Sequence, residues 1–183
     1  YATALDAHGT LYVADTLNHR IQRFKTDGTY VGKFGTEGSA NGQFSFPSGV
    51  AVDSAGNVYV ADTLNHRVQK FNASGTFVAT VGTNGSGNLQ FSNPSSIAIS
   101  ASGAVVVADT GNNRVQVLTT SLGFTAAFGG TGTADGEFTS PGSVGLDSTG
   151  SIYVADTGNN RVQKFSSTGT FLSKWGVVGT ANG

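Results

Sequence analysis

Apolar side chains along this chain come in short bursts, each closed by glycine, asparagine, aspartate or serine. Gly49–Val52, Asn57–Ala61, Arg67–Phe71 and Phe77–Val81 are four such runs in succession. In the second, Val58 and Val60 point one way and Tyr59 and Ala61 the other. Both faces are apolar, which predicts a strand covered on both sides. Asp53-Ser54-Ala55-Gly56 separates the first two runs, and its glycine recurs as Gly9, Gly103 and Gly150. A glycine there suits the positive φ of a hairpin turn. No stretch sustains a 3.6-residue period, so the pattern predicts an all-β chain.

The bursts repeat. Ala14–Phe24, Ala61–Phe71, Ala108–Leu118 and Ala155–Phe165 align without a gap, and Asp15, Asp62, Asp109 and Asp156 stand 47 residues apart. Four short antiparallel strands in each unit of that length make a β-propeller blade. One domain over 1–183 follows, with blades at about 1–35, 48–82, 95–129 and 142–176. The innermost strands carry Ala4, Ala51, Ala98 and Gly145, small residues suited to the crowded axis. Glycine-rich connections link the blades, and Phe44, Phe91 and Phe138 are expected to pin each one onto the next blade. Trp175, in the place of Phe34, Val81 and Phe128, is expected to fill a terminal blade.

The order Gly-x-Phe-x-x-Pro, then Gly49-Val-Ala-Val-Asp-x-x-Gly-Asn-x-Tyr-Val-Ala-Asp-Thr-x-Asn-x-Arg-Val-Gln-Lys-Phe71, resembles the NHL repeat, and the resemblance covers essentially the whole chain. It implies a β-propeller, usually of six blades, serving as a protein- or RNA-binding platform. Related six-bladed folds include metal-dependent lactonases and an amidating lyase. Four repeats leave three arrangements open: a four-bladed ring, part of a larger ring, or closure by assembly, two chains giving eight blades. The chain starts within a first strand, Tyr1–Asp6, and ends in a connection, Gly176–Gly183. It opens on Tyr rather than Met, so a longer natural protein with a targeting segment stays open.

Composition narrows the chemistry. A net charge of −1, with charged residues at 11%, gives no long-range attraction to nucleic acid or an anionic membrane. No apolar run reaches the roughly 18–20 residues of a membrane helix, so no membrane insertion is expected. No secretory signal is visible. The absence of cysteine excludes disulfides and thiolate metal sites. Low charge and a Thr/Asn/Gly-rich surface favour an extracellular or cell-envelope setting. Asn72-Ala-Ser and Asn84-Gly-Ser are glycosylation sequons, meaningful only in a eukaryotic secretory setting.

Four Asp/Arg pairs, Asp15/Arg20, Asp62/Arg67, Asp109/Arg114 and Asp156/Arg161, form a ladder. A ring of arginines could hold phosphate or carboxylate ligands. Identity in every blade points instead to a shared structural need, the Asp capping a loop and the Arg pairing with carboxylate or carbonyls. Asn18, Asn65, Asn112 and Asn159 belong to the same loops and suit turn chemistry. His19 and His66 are read as exposed loop residues, and His8 lies in a turn on the opposite face. Two histidines on a face fall short of the three or four ligands a metal needs.

Enzymes of the related six-bladed folds place metal ligands near the starts of the innermost strands. Tyr1-Ala2, Ser48-Gly49, Ser95-Ser96 and Gly142-Ser143 hold those places here, and none is a carboxylate or histidine. No nucleophile elbow, P-loop or metalloprotease motif is present, so no catalytic, cofactor-binding or metal residue is expected. The six basic residues outside the ladder (Arg23, Lys25, Lys33, Lys70, Lys164, Lys174) fall on or beside the outer strands, with no aromatic-lined basic patch for RNA. Differences between blades are the better guide to function. Leu17 and Leu64 stand where the last two blades have Gly111 and Gly158, beside His19 and His66, and mark a partner-binding rim. The expectation is a non-catalytic interaction scaffold for a protein partner or for its own copies. The alternatives are a fragment of a propeller enzyme and a self-assembling module.

Overall fold

A computed structural model describes residues 2–177 and 179. Tyr1, and Val178 with residues 180–183 of the final connection, lie outside the described residues. Four antiparallel sheets succeed one another, each with its strands in chain order. The first holds β1 (Thr3–Leu5), β2 (Thr10–Asp15), β3 (Arg20–Lys25) and β4 (Tyr30–Phe34). The second holds β5 (Pro47–Val52), β6 (Val58–Asp62), β7 (Arg67–Phe71) and β8 (Phe77–Val81). The third holds β9 (Pro94–Ile99), β10 (Val105–Asp109), β11 (Arg114–Leu118) and β12 (Phe124–Gly129). The fourth holds β13 (Pro141–Leu146), β14 (Ile152–Asp156), β15 (Arg161–Phe165) and β16 (Phe171–Trp175). Among the described residues no helix is long and apolar enough to cross a membrane.

Local chemistry sets the strand ends. A buried proline opens β5, β9 and β13, where a missing N–H does least harm to the ladder. Between β5 and β6 the Asp53 carboxylate accepts the backbone N–H groups of Ala55 and Asn57, and Gly56 turns with φ of 82°. This is an Asx turn closing on a left-handed residue, the hairpin the sequence predicts.

The strands β1, β5, β9 and β13 line up along the inner edge, each against the next. The core lies between sheets rather than within one. Val50, Val58, Val60 and Phe71 of the second blade pack toward Tyr12, Ala14 and Ile21 of the first. Its opposite face, Ala51, Tyr59, Ala61 and Val68, packs on Ile97, Val105 and Val107 of the third. A third cluster joins Val106, Ala108, Val115 and Val117 to Val144, Ile152, Val154 and Phe165. Phe44, Phe91 and Phe138 are each fully buried, one per interface, as expected of connection anchors.

The four blades form an open arc. Of the three arrangements left by the sequence, a four-bladed ring is therefore not adopted. Leu5 and Tyr30 on the outward face of the first blade are 58% and 53% exposed. Trp175 on the last blade is 48% exposed, its ring meeting that of Tyr153 edge-on at 6.0 Å.

The three interfaces share a plan but not every part. Phe34, Phe44 and Phe71 stack at the first, with centroids 4.9–6.4 Å apart. Phe128, Phe138 and Phe165 repeat the stack at the third, at 4.7–6.4 Å. The second interface has Val81 and Leu118 in place of two of those rings. There Leu122 takes the position held by Gly28, Gly75 and Gly169 and enters the core, 4% exposed. A side chain at Gly75 or Gly169 would collide with Phe34 or Phe128, its Cβ coming within 2.6 and 2.5 Å of the ring. Leu122 accepts a left-handed φ of 67° to fill the space that Val81 leaves. That conformation costs about 1–2 kcal/mol for a non-glycine residue, and burying leucine returns about 1.5–3 kcal/mol.

Candidate binding rim

At one end of every blade the second strand runs into a one-turn 3₁₀ segment, Thr16–Asn18, Thr63–Asn65, Thr110–Asn112 or Thr157–Asn159. A left-handed residue follows (His19, His66, Asn113 or Asn160), and the ladder arginine begins the third strand. The aspartate before this turn does not cap it through a backbone bond, contrary to the simplest sequence reading. Its carboxylate faces the strands and gathers donors instead. Asp62 Oδ2 accepts Arg67 Nε at 2.7 Å, Asn65 Nδ2 at 2.9 Å and Gln69 Nε2 at 3.0 Å, while Oδ1 accepts the Ser45 N–H at 2.7 Å. Asp109 and Asp156 repeat this with Arg114 and Arg161 at 2.7 Å and the N–H groups of Ser92 and Thr139. All three carboxylates are fully buried.

The guanidiniums hold the incoming connection. Arg67 Nη2 donates to the Ala40 and Gln43 carbonyls, each at 2.9 Å. Arg114 and Arg161 each donate to three connection carbonyls. Arg20, with no preceding connection in this sequence, bonds Asp15 at 2.6 Å. Gln69, Gln116 and Gln163 complete the clamp. Each is fully buried, accepting a connection N–H on Oε1 and donating from Nε2 to a connection carbonyl. Sequence reading missed these glutamines, although a glutamine follows every ladder aspartate by seven positions.

The histidines are not free loop residues. Both are half-buried, and each Nδ1 accepts a backbone N–H from the connection, His19 from Phe46 at 3.2 Å and His66 from Asn93 at 3.1 Å. Asn113 does the same work for Ser140 with its Oδ1, at 2.7 Å. His and Asn both present an acceptor at this reach, which explains their exchange between blades. His8 is exposed in a turn at the other end. Among the described residues no three histidine or carboxylate side chains gather as a metal site.

Leu17 and Leu64 point outward, 64% and 48% exposed. Leu64 is joined to residues that the sequence pattern does not single out. The Leu64 N–H donates to the Ser45 carbonyl, and the next residue, Phe46, donates to His19 and packs edge-on against its ring at 4.8 Å. Phe46 is 37% exposed, in a left-handed conformation where the other connections carry Asn93 and Ser140. His19, Phe46 and Leu64 are thus linked along the connection between the first two blades, and Leu17 adds a further exposed apolar side chain on the first. On the last two blades the loop glycines press closer, Gly111 and Gly158 donating to Ser92 and Thr139 carbonyls at 2.8 Å. A Cβ there would lie 2.8 and 2.6 Å from those oxygens, so a leucine would force the loop or connection to shift.

The family model for the NHL repeat matches residues 44–71, 91–118 and 138–165. No curated protein matches the chain in sequence. Among solved structures it is similar to hydrazine synthase of Kuenenia stuttgartiensis, at 14% identity and a TM-score of 0.72, over 97% of this chain and 49% of that one. It is also similar to virginiamycin B lyase from Staphylococcus aureus, at 16% identity and 0.71, over 98% and 56%. A chain of a nidogen/laminin complex aligns at 18% identity and 0.70, over 95% and 62%. The chain spans about half to three fifths of these structures, and at such identities the likeness is one of fold. With three repeats matched and a fourth of the same pattern, the chain belongs to the NHL-repeat proteins of β-propeller architecture.

Proposed function

We propose that this chain is a non-catalytic interaction scaffold whose partner-binding surface is the rim formed by Leu17, His19, Phe46 and Leu64, with His66 at its border. The observation that carries this reading is the rim itself: exposed apolar side chains on a backbone fixed by hydrogen bonds. Rigid, exposed aromatic and aliphatic anchors are what protein partners use, because little conformational freedom is lost on docking. The ladder residues Asp15, Arg20, Asp62, Arg67, Asp109, Arg114, Asp156 and Arg161 act structurally, since their charged groups meet one another and the connections. Nucleic acid is a poor fit. Arg23 and Lys70 reach carbonyls of the next blade, Lys164 meets Asp147, and Lys174 pairs with Asp135. Similarity to a lyase carries fold alone, and at the inner-strand starts the Ser48 hydroxyl donates to the Ser95 carbonyl and the Ser95 hydroxyl to the Gly142 carbonyl.

Selection of a random-peptide display library against the folded chain tests the reading. Recovered peptides should lose at least about tenfold affinity, roughly 1.4 kcal/mol, on a Leu17→Gly/Phe46→Ser/Leu64→Gly variant. Peptides that bind this variant unchanged would refute the rim.

The uncovered end faces favour a second reading, pairing with another copy. Tyr153, Ala155 and Val162 repeat the face that Tyr59, Ala61 and Val68 bury, and Leu11, Val13 and Phe24 repeat that of Val58, Val60 and Phe71. The ends are complementary, so contact would be head to tail. Cysteines at Ala2 and Ser143 repeat the close approach of Gly49 to Ser96 and should cross-link two copies. A monomer by light scattering at high concentration, with no cross-link, would dismiss it.

A further inference from the structure

Three of the four blades carry the same interlock on the face toward the following blade. Its parts are an aspartate in the first hairpin turn, a tyrosine six residues on, and a cation on the third strand: Asp6, Tyr12 and Arg23; Asp53, Tyr59 and Lys70; Asp147, Tyr153 and Lys164. In the second blade the Tyr59 hydroxyl lies 3.0 Å from Asp53 Oδ2 and 2.9 Å from the Thr120 carbonyl of the third blade. Lys70 Nζ reaches that carbonyl at 2.9 Å and sits over the Tyr59 ring at 5.1 Å. In the first blade Tyr12 and Arg23 approach the Ala73 carbonyl in the same way. A phenol is thus the part that plugs each of these interfaces at its turn end.

The third blade has Ser100, Val106 and Val117 at these positions. Ring, carboxylate and cation are lost together. The gap is not refilled, unlike the one that Leu122 closes at the neighbouring interface. A pocket of about 120 Å³ opens between the third and fourth blades, lined by Ser100, Ala104, Val106, Leu146, Ile152 and Ser167 among others. Ser167 is the counterpart of Ala73 and Thr120, and with valine at 106 and 117 its carbonyl receives neither hydroxyl nor cation from the third blade. Ser100 Oγ takes over part of the aspartate's role, accepting the Ala104 N–H at 2.9 Å.

We infer that this pocket binds a small neutral phenol, in the place a tyrosine ring occupies at the equivalent interfaces. A closed aliphatic cavity of about 150 Å³ accepts benzene; this pocket is somewhat smaller but partly open to solvent, so a ring can enter with its substituent toward the mouth. The walls are apolar at Ala104, Val106, Leu146 and Ile152, and the carbonyl of Ser167 with Ser100 Oγ offers the hydroxyl its partners. Among the described residues no charged side chain lines the pocket, so an ionic ligand would be desolvated without compensation and is rejected. The same chemistry can arrive as a free phenol or as the tyrosine side chain of a peptide.

Titration of the ¹⁵N-labelled chain with p-cresol, followed by amide shifts, tests this. Saturable shifts at residues 100–106, 146–152 and 166–168 are expected, with Kd of about 1 mM. Toluene, which lacks the hydroxyl, should bind several-fold more weakly. N-acetyl-tyrosinamide distinguishes the sources: matching affinity assigns a tyrosyl side chain, and failure to bind assigns a free phenol. Val106→Tyr supplies the ring from the chain itself and should weaken p-cresol binding at least tenfold. No saturable shift at the pocket, toluene binding as well as p-cresol, or shifts scattered over the wild-type surface would each overturn the inference without reference to any variant.

Discussion

The interface between the second and third blades and that between the third and fourth follow one plan, and each lacks a different part. The former has Val81 and Leu118 where the latter has Phe128 and Phe165, yet it is full, because Leu122 accepts a left-handed backbone to occupy the space. The latter keeps its phenylalanine stack and lacks the tyrosine interlock, yet nothing moves in, and a pocket of about 120 Å³ remains. A repeat protein therefore tolerates a missing side chain in two ways. Compensation preserves the fold, whereas an uncompensated loss leaves a place for something else. What the two interfaces share holds the blades together, and what they do not share is where specific binding can arise.

The largest effect should come from the shared part. Asp109→Ala and Asp156→Ala each leave a half-buried arginine and a fully buried glutamine without their common acceptor, and each should cost about 3–5 kcal/mol by urea denaturation. Equal costs would place the two interfaces on one ladder. A much smaller cost for Asp156→Ala would separate them. Next in size, Tyr59→Val should give the second interface the gap of the third, at about 2–4 kcal/mol. It should also create p-cresol binding where none existed.

Compensation at Leu122 is tested by a double-mutant cycle. Leu122→Gly should cost about 0.5–1 kcal/mol, the burial lost less the backbone strain relieved. Val81→Phe alone should overpack the site. The pair together should restore the arrangement of the other interfaces, with a favourable coupling of about 0.5–3 kcal/mol. Additive effects would remove the compensation argument.

The smallest effect is the pH dependence contributed by the interlocks that retain aspartate. Burial pushes the Asp53 carboxyl up, but bonds from the Asn57 side chain and backbone, the Tyr59 hydroxyl and the Ala55 N–H outweigh it, and the net shift is downward. A lowered carboxylate stabilises the fold fully above its unfolded value, about 3.9, and the contribution fades as pH falls through the lower folded value. Asp53→Ser should flatten the acid limb of the stability profile by about 0.5 kcal/mol, since the carboxylate is only partly buried. The third blade, with Ser100 at this place, should show no such contribution.

Much of this was legible in the sequence. Strands β5 to β8 lie within two residues of the apolar runs that predicted them, and Gly9, Gly56, Gly103 and Gly150 all adopt positive φ. Repetition made both readable, because a pattern met four times averages out local ambiguity. Facts that depend on two blades at once were not readable. Nothing at position 122 alone announces a leucine in a left-handed turn, since its reason is Val81 in another blade. The histidines looked exposed because their partners are backbone N–H groups of a connection 27 residues away. Phe46 was overshadowed by Phe44, two residues before it, and only the left-handed backbone turns the second ring outward. The pocket is the hardest case, being the absence of a tyrosine that the neighbouring interfaces contain.

The central claim, that the third blade lacks a part its neighbours possess, is tested most directly by urea denaturation of Val106→Tyr. A tyrosine returned to its place should fill the pocket and bond the Ser167 carbonyl. The midpoint should rise by an amount equivalent to about 1 kcal/mol, with the denaturant slope unchanged. A midpoint lowered by a similar amount would mean that the third and fourth blades are already closely packed there, and would contradict the account.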